Sequence, residues 1–212
     1  MEYIDFETWP RKDHFDFFYK MEYPQFNVSL NIDVTHFLDF VKAHHISFYY
    51  AMIFASNYAA NQFINFRYRI RGGRVVLHDR VHPSFTDMPK ESDLFKMVTV
   101  DIKDGLWEDI LAFTQYAKEK SEQQKEFMIY KNAEERDDVL YMTCTPWLSF
   151  TQLSHPIAFN KEDSVPKISW GKYFRQNGKV LMPFSVQANH ALLDGVHVGK
   201  YIEALQNYID RL

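Results

Sequence analysis

The feature that most restricts the fold is a strand-like segment that leads into a helix-like one near the C-terminus. Apolar and polar residues alternate from Val180 to Ala188, and from about Val198 the apolar residues take helical spacing. Between the two segments lies the sequence NHALLDG, which contains His190, Asp194 and Gly195. A sheet can hold a side chain rigidly at the end of a strand, and a glycine gives the following turn backbone freedom. The pattern therefore predicts a firmly placed histidine in a short polar turn.

The same change of period occurs elsewhere in the chain. A strand is predicted at 26–32, and a helix with Asp33 or Thr35 as its cap follows it. Further predicted elements are a helix at 48–63, a hairpin turning at Gly72–Gly73, strands near 84–87 and 96–102, a helix within 106–124, and strands near 139–145, 166–174 and 179–189. The segment 131–138 is predicted to be a solvated loop. Since few strand-helix-strand units occur, the pattern predicts an α/β (α+β) fold with a mixed β-sheet covered by helices.

Length and charge narrow the class of protein. The 212 residues are predicted to form a single domain, 1–212. With 24 basic against 28 acidic residues, a net charge of -4 and no long basic run, nucleic acid is not expected as a main partner. The acidic, aromatic start has no signal-peptide pattern, and no apolar run approaches the roughly 18 residues of a membrane span. We therefore expect a cytoplasmic protein that has no membrane partner.

The single cysteine, Cys144, excludes an intramolecular disulfide and favours a reducing compartment. Its apolar neighbours indicate a strand interior, where a thiol is usually an inert small hydrophobe rather than a nucleophile.

His190 is the candidate for acid-base chemistry. A neutral imidazole can take a proton from an alcohol or thiol and return it within one turnover. Asp194 either orients that ring directly or braces the turn against a distant arginine. A metal site would need a third ligand and a helix beneath both residues, which Gly195 argues against, so no metal is predicted. No G-x-S-x-G elbow is present, and without an evident nucleophile direct transfer between two bound substrates is the simplest mechanism.

Several segments, in order along nearly the whole chain, resemble the chloramphenicol acetyltransferase family. The matching segments are TWPRKDHFDFF (8–18), VHPSFT (81–86), TPWLSFT (145–151), ISWGKY (168–173), KVLMPFSVQ (179–187) and HALLDGVHVGKYIEALQ (190–206). The resemblance implies a chloramphenicol acetyltransferase-like two-layer sandwich, related in fold to the catalytic domain of dihydrolipoyl acyltransferases. It also implies a homotrimer with active sites at subunit interfaces. The implied reaction moves acetyl from acetyl-CoA to the hydroxyl of chloramphenicol or a similar small-molecule alcohol.

The resemblance assigns roles to individual residues. It implies that His190 is the general base and that Asp194 pairs with Arg11 to hold the turn. Ser169 stands where the family has a threonine whose hydroxyl holds a water. Lys172 and Tyr173 match residues that line the CoA end of the family's site. Phe18 and Phe95 are candidates for the acceptor pocket, although either one would also suit a core.

Two positions depart from the family pattern. Gln152 stands where the family has the serine that donates to the oxyanion, and Ser47 replaces a lysine on the CoA side. A glutamine amide can donate a hydrogen bond, so Gln152 is predicted to keep the role, with Ser149 or Thr151 as alternatives. The same departure leaves open an impaired or non-enzymatic trimer that only binds ligands. An acyltransferase core of a 2-oxo acid dehydrogenase complex is a third hypothesis, but the chain has neither a lipoyl domain nor an Ala/Pro linker.

Overall fold

One large mixed sheet with helices packed on it forms the centre of the fold. The structure, a computed structural model, describes residues 1–89, 92–129, 136–156 and 159–212. The strands are β1 (Glu2–Tyr3), β2 (Gln25–Asp33), β3 (Tyr68–Arg71), β4 (Arg74–Leu77), β5 (His82–Asp87), β6 (Lys96–Thr99), β7 (Val139–Thr145), β8 (Lys167–Gly171), β9 (Phe174–Gln176) and β10 (Lys179–Asn189). The helices are α1 (Lys12–Phe18), α2 (Thr35–Ala43), α3 (Phe48–Asn61), α4 (Ile110–Gln123) and α5 (Gly195–Asp210), with a 3₁₀ turn at Ile64–Arg67.

The large sheet has the order β2-β10-β8-β7-β5-β6, and β9 pairs with β10. Strands β5, β7 and β8 run parallel to one another, whereas the other pairings are antiparallel. The predicted mixed sheet is therefore confirmed. A small sheet, β1-β4-β3, contains the predicted hairpin, whose turn at Gly72 and Gly73 has φ of 58° and 74°. Glycine adopts these left-handed values readily, as a two-residue hairpin turn requires.

The two faces of the large sheet differ in chemistry. One face carries a row of apolar side chains that cross-strand register places side by side and that pack in the core: Phe85, Met142, Ile168, Val186 and Val28. Burying each such side chain contributes about 1.5–3 kcal/mol, so this face fixes the strand register. The opposite face carries a row of hydroxyls at the neighbouring positions: Thr143, Ser169, Ser185 and Ser29. Ser169 and Ser185 are nevertheless buried, and hydrogen bonds satisfy them within the polar face.

Helices α2 to α5 cover the apolar face. Helix α3 packs against α4, α5 and β5, and it is buried on most sides, as its sequence predicted. Ser47 caps this helix by accepting from the Tyr50 N–H at 3.5 Å. The N-cap of α2 is Val34, so the prediction of Asp33 or Thr35 as the cap was wrong; Asp33, one residue earlier, nevertheless accepts from the Thr35 N–H at 3.0 Å. Within the described ranges, no helix has the length and apolar content needed to cross a membrane.

Several boundaries differ from the sequence prediction. The strand predicted at 166–174 is interrupted between β8 and β9, because Lys172 donates its N–H to the Leu148 carbonyl at 2.7 Å instead of to a strand. Helix α5 begins at Gly195 rather than near Val198, so Gly195 is helical and does not supply a left-handed turn. Residues 131–135 of the predicted solvated loop lie outside the described residues. Asp137, in the remainder of that loop, is half-buried and accepts from Arg71 at 2.7 Å.

Candidate active site

His190 sits immediately after β10, and its surroundings fix the ring. Its N–H donates to the Pro24 carbonyl at 2.7 Å. The imidazole stacks on Phe18, with ring centroids 3.9 Å apart and planes 7° apart, and it contacts Phe26 at 4.6 Å. The side chain keeps 32% of its surface exposed. Two aromatic rings therefore hold the imidazole while part of it stays accessible.

Arg11 clamps the turn that carries His190. Its Nε donates to the Ala191 carbonyl and its Nη2 to the His190 carbonyl, both at 2.8 Å. Nη2 also donates to Asp194 Oδ1 at 2.7 Å, and Nη1 bonds the other carboxylate oxygen. The Arg11 hydrogen bonds keep the pKa of Asp194 below its usual value, although burial opposes this effect. One guanidinium thus binds three points of the turn with the fork geometry that lysine lacks.

Asp194 faces the arginine rather than the histidine. Its Oδ1 lies 3.1 Å from His190 Nδ1, but the two atoms are not aligned for a hydrogen bond, and Nδ1 has no other partner among the described residues. The Asp194 N–H donates to His197 Nδ1 at 2.9 Å, which closes the first turn of α5. Burial, and then the charge of Arg11, lower the pKa of His197, which suits its role as an acceptor. Of the two roles open for Asp194, this geometry favours bracing the turn.

A large groove lies where the parallel strands β5, β7 and β8 end. It has a volume of about 1170 Å³, and its walls are mainly aromatic and aliphatic. The N-terminal residues of α3 form the opposite wall, with Tyr49 contacting Trp170 at 5.7 Å between ring centroids. A crevice at the carboxyl ends of parallel strands is a usual place for ligands in α/β folds.

The groove contains some of the residues predicted for substrate contact. Lys172 and Tyr173 line it beside Ser47, and the Tyr173 ring lies 6.0 Å from Phe48. Phe95 lines it too, and this side chain is 47% exposed. Phe18 does not line the groove, because it stacks on His190. Cys144 also lies in the wall, where burial raises the pKa of its thiol to about 12 and so keeps it protonated.

The predicted oxyanion donors do not line the groove within one chain. Gln152, Ser149 and Thr151 are all exposed on the loop after Trp147. Ser169 is fully buried, and its hydroxyl lies 2.6 Å from Nε2 of His155. The side chain that reaches the groove at this point is therefore His155 rather than Ser169.

His190 and the groove are separate within one chain. Lys167 lines the groove and pairs with Gln187 on β10, and His190 lies three residues farther along the chain. At about 3.3 Å per residue Gln187 and His190 are roughly 10 Å apart. His190 is also absent from the groove lining. The structure therefore brings Arg11, Asp194, His190 and Phe18 together in one cluster and Lys172, Tyr173 and Phe95 together in another.

Sequence reasoning missed two groove residues, His155 and Asp87. His155 is held through its backbone N–H, which donates to Gln187 Oε1 at 2.9 Å, and burial followed by the charge of Lys167 lowers the pKa of its ring. Asp87 is the last residue of β5. Neither residue stands in a recognisable motif: the strand register places Asp87, and the hydrogen bond to Gln187 places His155. The described residues contain no group of three or more His, Cys, Asp or Glu side chains placed to hold a metal.

Comparison with known proteins agrees with this architecture. The model of the family described as "Chloramphenicol acetyltransferase" matches residues 1–206. A chloramphenicol acetyltransferase of Klebsiella sp is 29% identical over 211 residues, which cover 98% of this chain and 93% of the relative. Chloramphenicol acetyltransferase 3 of Escherichia coli is 26% identical over 204 residues, with 96% and 94% coverage.

Solved structures show the same relationship. A chloramphenicol acetyltransferase structure superimposes with a TM-score of 0.89 at 25% identity, covering 98% of this chain and 99% of the other. A truncated catalytic core of the 2-oxoacid dehydrogenase multienzyme complex from Thermoplasma acidophilum shares the fold, with a TM-score of 0.68, 17% identity and coverage of 99% and 98%.

The fold and these matches define the class of protein as an acyltransferase. Within that class, the chain belongs to the chloramphenicol acetyltransferase family.

Proposed function

We propose that the protein is a CoA-dependent O-acetyltransferase that transfers acetyl from acetyl-CoA to chloramphenicol or a similar small apolar alcohol. The observation that carries this proposal is His190, stacked on Phe18 at 3.9 Å and fixed by Arg11, with a third of its side chain exposed. The relatives' names supply the acceptor and the acyl group. We also propose that the protein acts in the cytoplasm.

The proposed chemistry is a direct transfer. His190 takes the proton of the acceptor hydroxyl as its oxygen attacks the thioester carbonyl carbon, which gives a tetrahedral oxyanion. The carbon–sulfur bond then breaks, and the imidazolium returns the proton to the CoA thiolate. The products are an O-acetyl ester and free CoA. Arg11 and Asp194 act by positioning, since they hold the turn that carries the imidazole.

The groove suits the acyl donor at the end of β8. Lys172 is exposed there, and its ammonium group would bind a phosphate group of CoA. Tyr173 would stack its ring on the adenine of CoA. We assign Gln152 as the oxyanion donor, a role whose loss costs roughly 3 kcal/mol in other acyl-transfer enzymes. Because Gln152 is exposed in one chain, this assignment requires a second chain to cover it.

A homotrimer with sites at subunit interfaces would bring the two clusters together. Exposed apolar side chains lie on the segments next to His190: Phe17 (61%) contacts Phe18, and Tyr23 (47%), which contacts Phe159 (87%), precedes the Pro24 that accepts from the His190 N–H. A different exposed apolar set borders the groove and includes Leu94 (79%) and Trp147 (64%). Two distinct apolar patches on one chain suit a head-to-tail interface, and closed rings of such interfaces form cyclic oligomers. His190 of one chain would then face the groove of the next.

The test is release of free CoA from acetyl-CoA by the purified protein, with and without chloramphenicol. We expect chloramphenicol-dependent release, and a loss of at least about a hundredfold in kcat for His190→Ala. Circular dichroism and light scattering establish that the variant keeps its fold and oligomeric state. Unchanged turnover in His190→Ala removes the mechanism. Saturable acetyl-CoA binding without transfer to a panel of alcohols supports the ligand-binding alternative instead.

A further inference from the structure

The groove carries charges of opposite sign at its two ends. Lys172 lies at the β8 end, and Asp87 lies at the β5 end. Strand β7 separates β5 from β8, and neighbouring strands are about 4.8 Å apart, so the two ends are separated by roughly 10 Å. The third charged residue in the wall, Lys167, pairs with Asp163 at 2.8 Å and is neutralised.

Asp87 is fixed by hydroxyl groups rather than by a cation. Its Oδ2 accepts from the Tyr50 hydroxyl at 3.3 Å and from the Ser121 hydroxyl. Among the residues that the structure describes, no basic side chain forms an ion pair with it. In the described part of the chain the carboxylate is therefore held in place by hydroxyl groups and not by an ion pair.

The nearest basic residue in the sheet has other partners. Lys96 stands directly across from Asp87 in the β5–β6 pairing. Its ammonium group donates to the carbonyls of Ser121 and Gln124, the latter at 3.0 Å, where helix α4 ends. These carbonyls carry the negative end of the helix dipole, so Lys96 is committed there. Lys96 and Asp87 both bond Ser121, Lys96 at the carbonyl and Asp87 at the hydroxyl, so the ammonium lies near the carboxylate without forming an ion pair with it.

We infer that Asp87 is a specificity residue for the acceptor, and that among small alcohols with an apolar body the groove binds those that also carry an ammonium group more tightly than neutral ones of the same shape. This inference rests on the proposed acetyl transfer. A cation beside a partly buried, unpaired carboxylate gains Coulomb energy in a medium of low dielectric. The apolar wall, which includes Met88 and Phe95, accommodates the rest of such an acceptor. Because Lys172 lies at the far end, a cationic acceptor is directed away from the acyl-donor end.

An isosteric pair of alcohols isolates the effect of charge. The probes are 4-tert-butylbenzyl alcohol and 4-(trimethylammonio)benzyl alcohol, which differ in charge but hardly in shape. Dissociation constants are measured by calorimetry on the whole protein, first unmodified and then as Asp87→Asn, which keeps size and hydrogen-bonding capacity. We expect the cation to bind roughly tenfold more tightly than the neutral alcohol to the unmodified protein, and Asp87→Asn to abolish that preference without weakening the neutral alcohol.

Asp104→Asn is the matched control, because Asp104 is a fully exposed carboxylate 3.9 Å from Arg80 and outside the groove lining, and its loss changes the net charge equally. We expect that variant to keep the preference. Equal affinity for both probes in the unmodified protein, or a preference that survives Asp87→Asn, overturns the inference. Binding is measured without acetyl-CoA, so this result is independent of CoA release, which alone decides the proposed function.

Discussion

At the residue scale, His190 depends on groups that lie far from it in sequence. Arg11 and Asp194 are 183 positions apart, yet one guanidinium joins the N-terminal segment to the turn after β10. The resemblance to a family predicted this pair, because spacing alone does not relate an isolated arginine to a distant aspartate. Phe18 shows the limit of such prediction. The sequence favoured neither acceptor pocket nor core for it, and in the structure it stacks on His190.

His155 leads to a prediction about pH. Burial, and then Lys167, lower its pKa below the ordinary 6.5, so the folded state keeps it neutral at pH values where the unfolded chain takes up a proton. The unfolded state then binds more protons, and the free energy of unfolding falls as pH drops below about 6.5. We expect His155→Gln to lose less stability between about pH 7.5 and about pH 5 than the unmodified protein, as measured by urea unfolding.

The exposed His36 provides the control for that experiment. His36→Gln removes a histidine without removing a buried neutral ring, so its stability should follow the unmodified protein across the same range. His82 and His197, whose pKa values are also lowered by burial, remain in both variants and cancel in the comparison. Parallel pH curves for His155→Gln and the unmodified protein contradict the prediction.

At the scale of elements, the loop before Gln152 is held against the end of β8. A Cβ at Gly171 would lie 2.5 Å from the Leu148 carbonyl oxygen and 3.0 Å from the Phe150 ring. The adjacent Lys172 N–H donates to the same carbonyl at 2.7 Å. A side chain at Gly171 would therefore push this loop away from the groove that both Gly171 and Trp147 line.

We expect Gly171→Ala to lower the free energy of unfolding by about 1–3 kcal/mol and to weaken acetyl-CoA binding, because the loop must shift to admit the methyl group. Urea unfolding and calorimetry measure the two effects. Gly199→Ala is the control, since Gly199 lies in α5 with nothing within 4 Å of the added Cβ. That helical change should be neutral or should stabilise the protein by up to about 1 kcal/mol. Equal stability and affinity in the two variants would show that the contact is unimportant.

Local pattern predicted most of these elements, but not how they are arranged. The alternation of apolar and polar residues predicted β2 and β10, because one face of each strand packs in the core. The Gly72–Gly73 pair predicted the hairpin of β3 and β4. Helix α1 was not predicted, since its seven residues are too short for a periodic signal. The sheet order, and with it the position of Asp87 in the groove, depends on pairings between distant strands. No single segment contains that information.

At the scale of the whole molecule, the separation of His190 from the groove has a consequence for subunit mixing. His190→Ala leaves a chain with an intact groove, and Thr143→Trp fills the groove of a chain with an intact His190. Each variant alone should be inactive. Co-expressed, they should regain activity at about a quarter of the sites, because random assembly puts an intact groove beside an intact histidine with that frequency.

CoA release by the co-purified mixture measures this complementation, and light scattering establishes that each variant forms the same oligomer. Variants purified separately and mixed without exchange provide the control, which should stay inactive. If co-assembled variants show no activity, each chain uses its own His190, and the proposal of a shared site fails.

The hydrogen bonds of Arg11 also determine when, during synthesis, the turn that carries His190 can take its final conformation. A ribosome makes Arg11 well before His190 and Asp194, because Asp194 lies 183 positions farther along the chain. Strand β2 likewise waits for β10 as its ladder partner. In a nascent chain that stalls before β10, strand β2 has no partner strand and Arg11 has no carboxylate to bind. Partly folded chains of this kind are expected to bind chaperones.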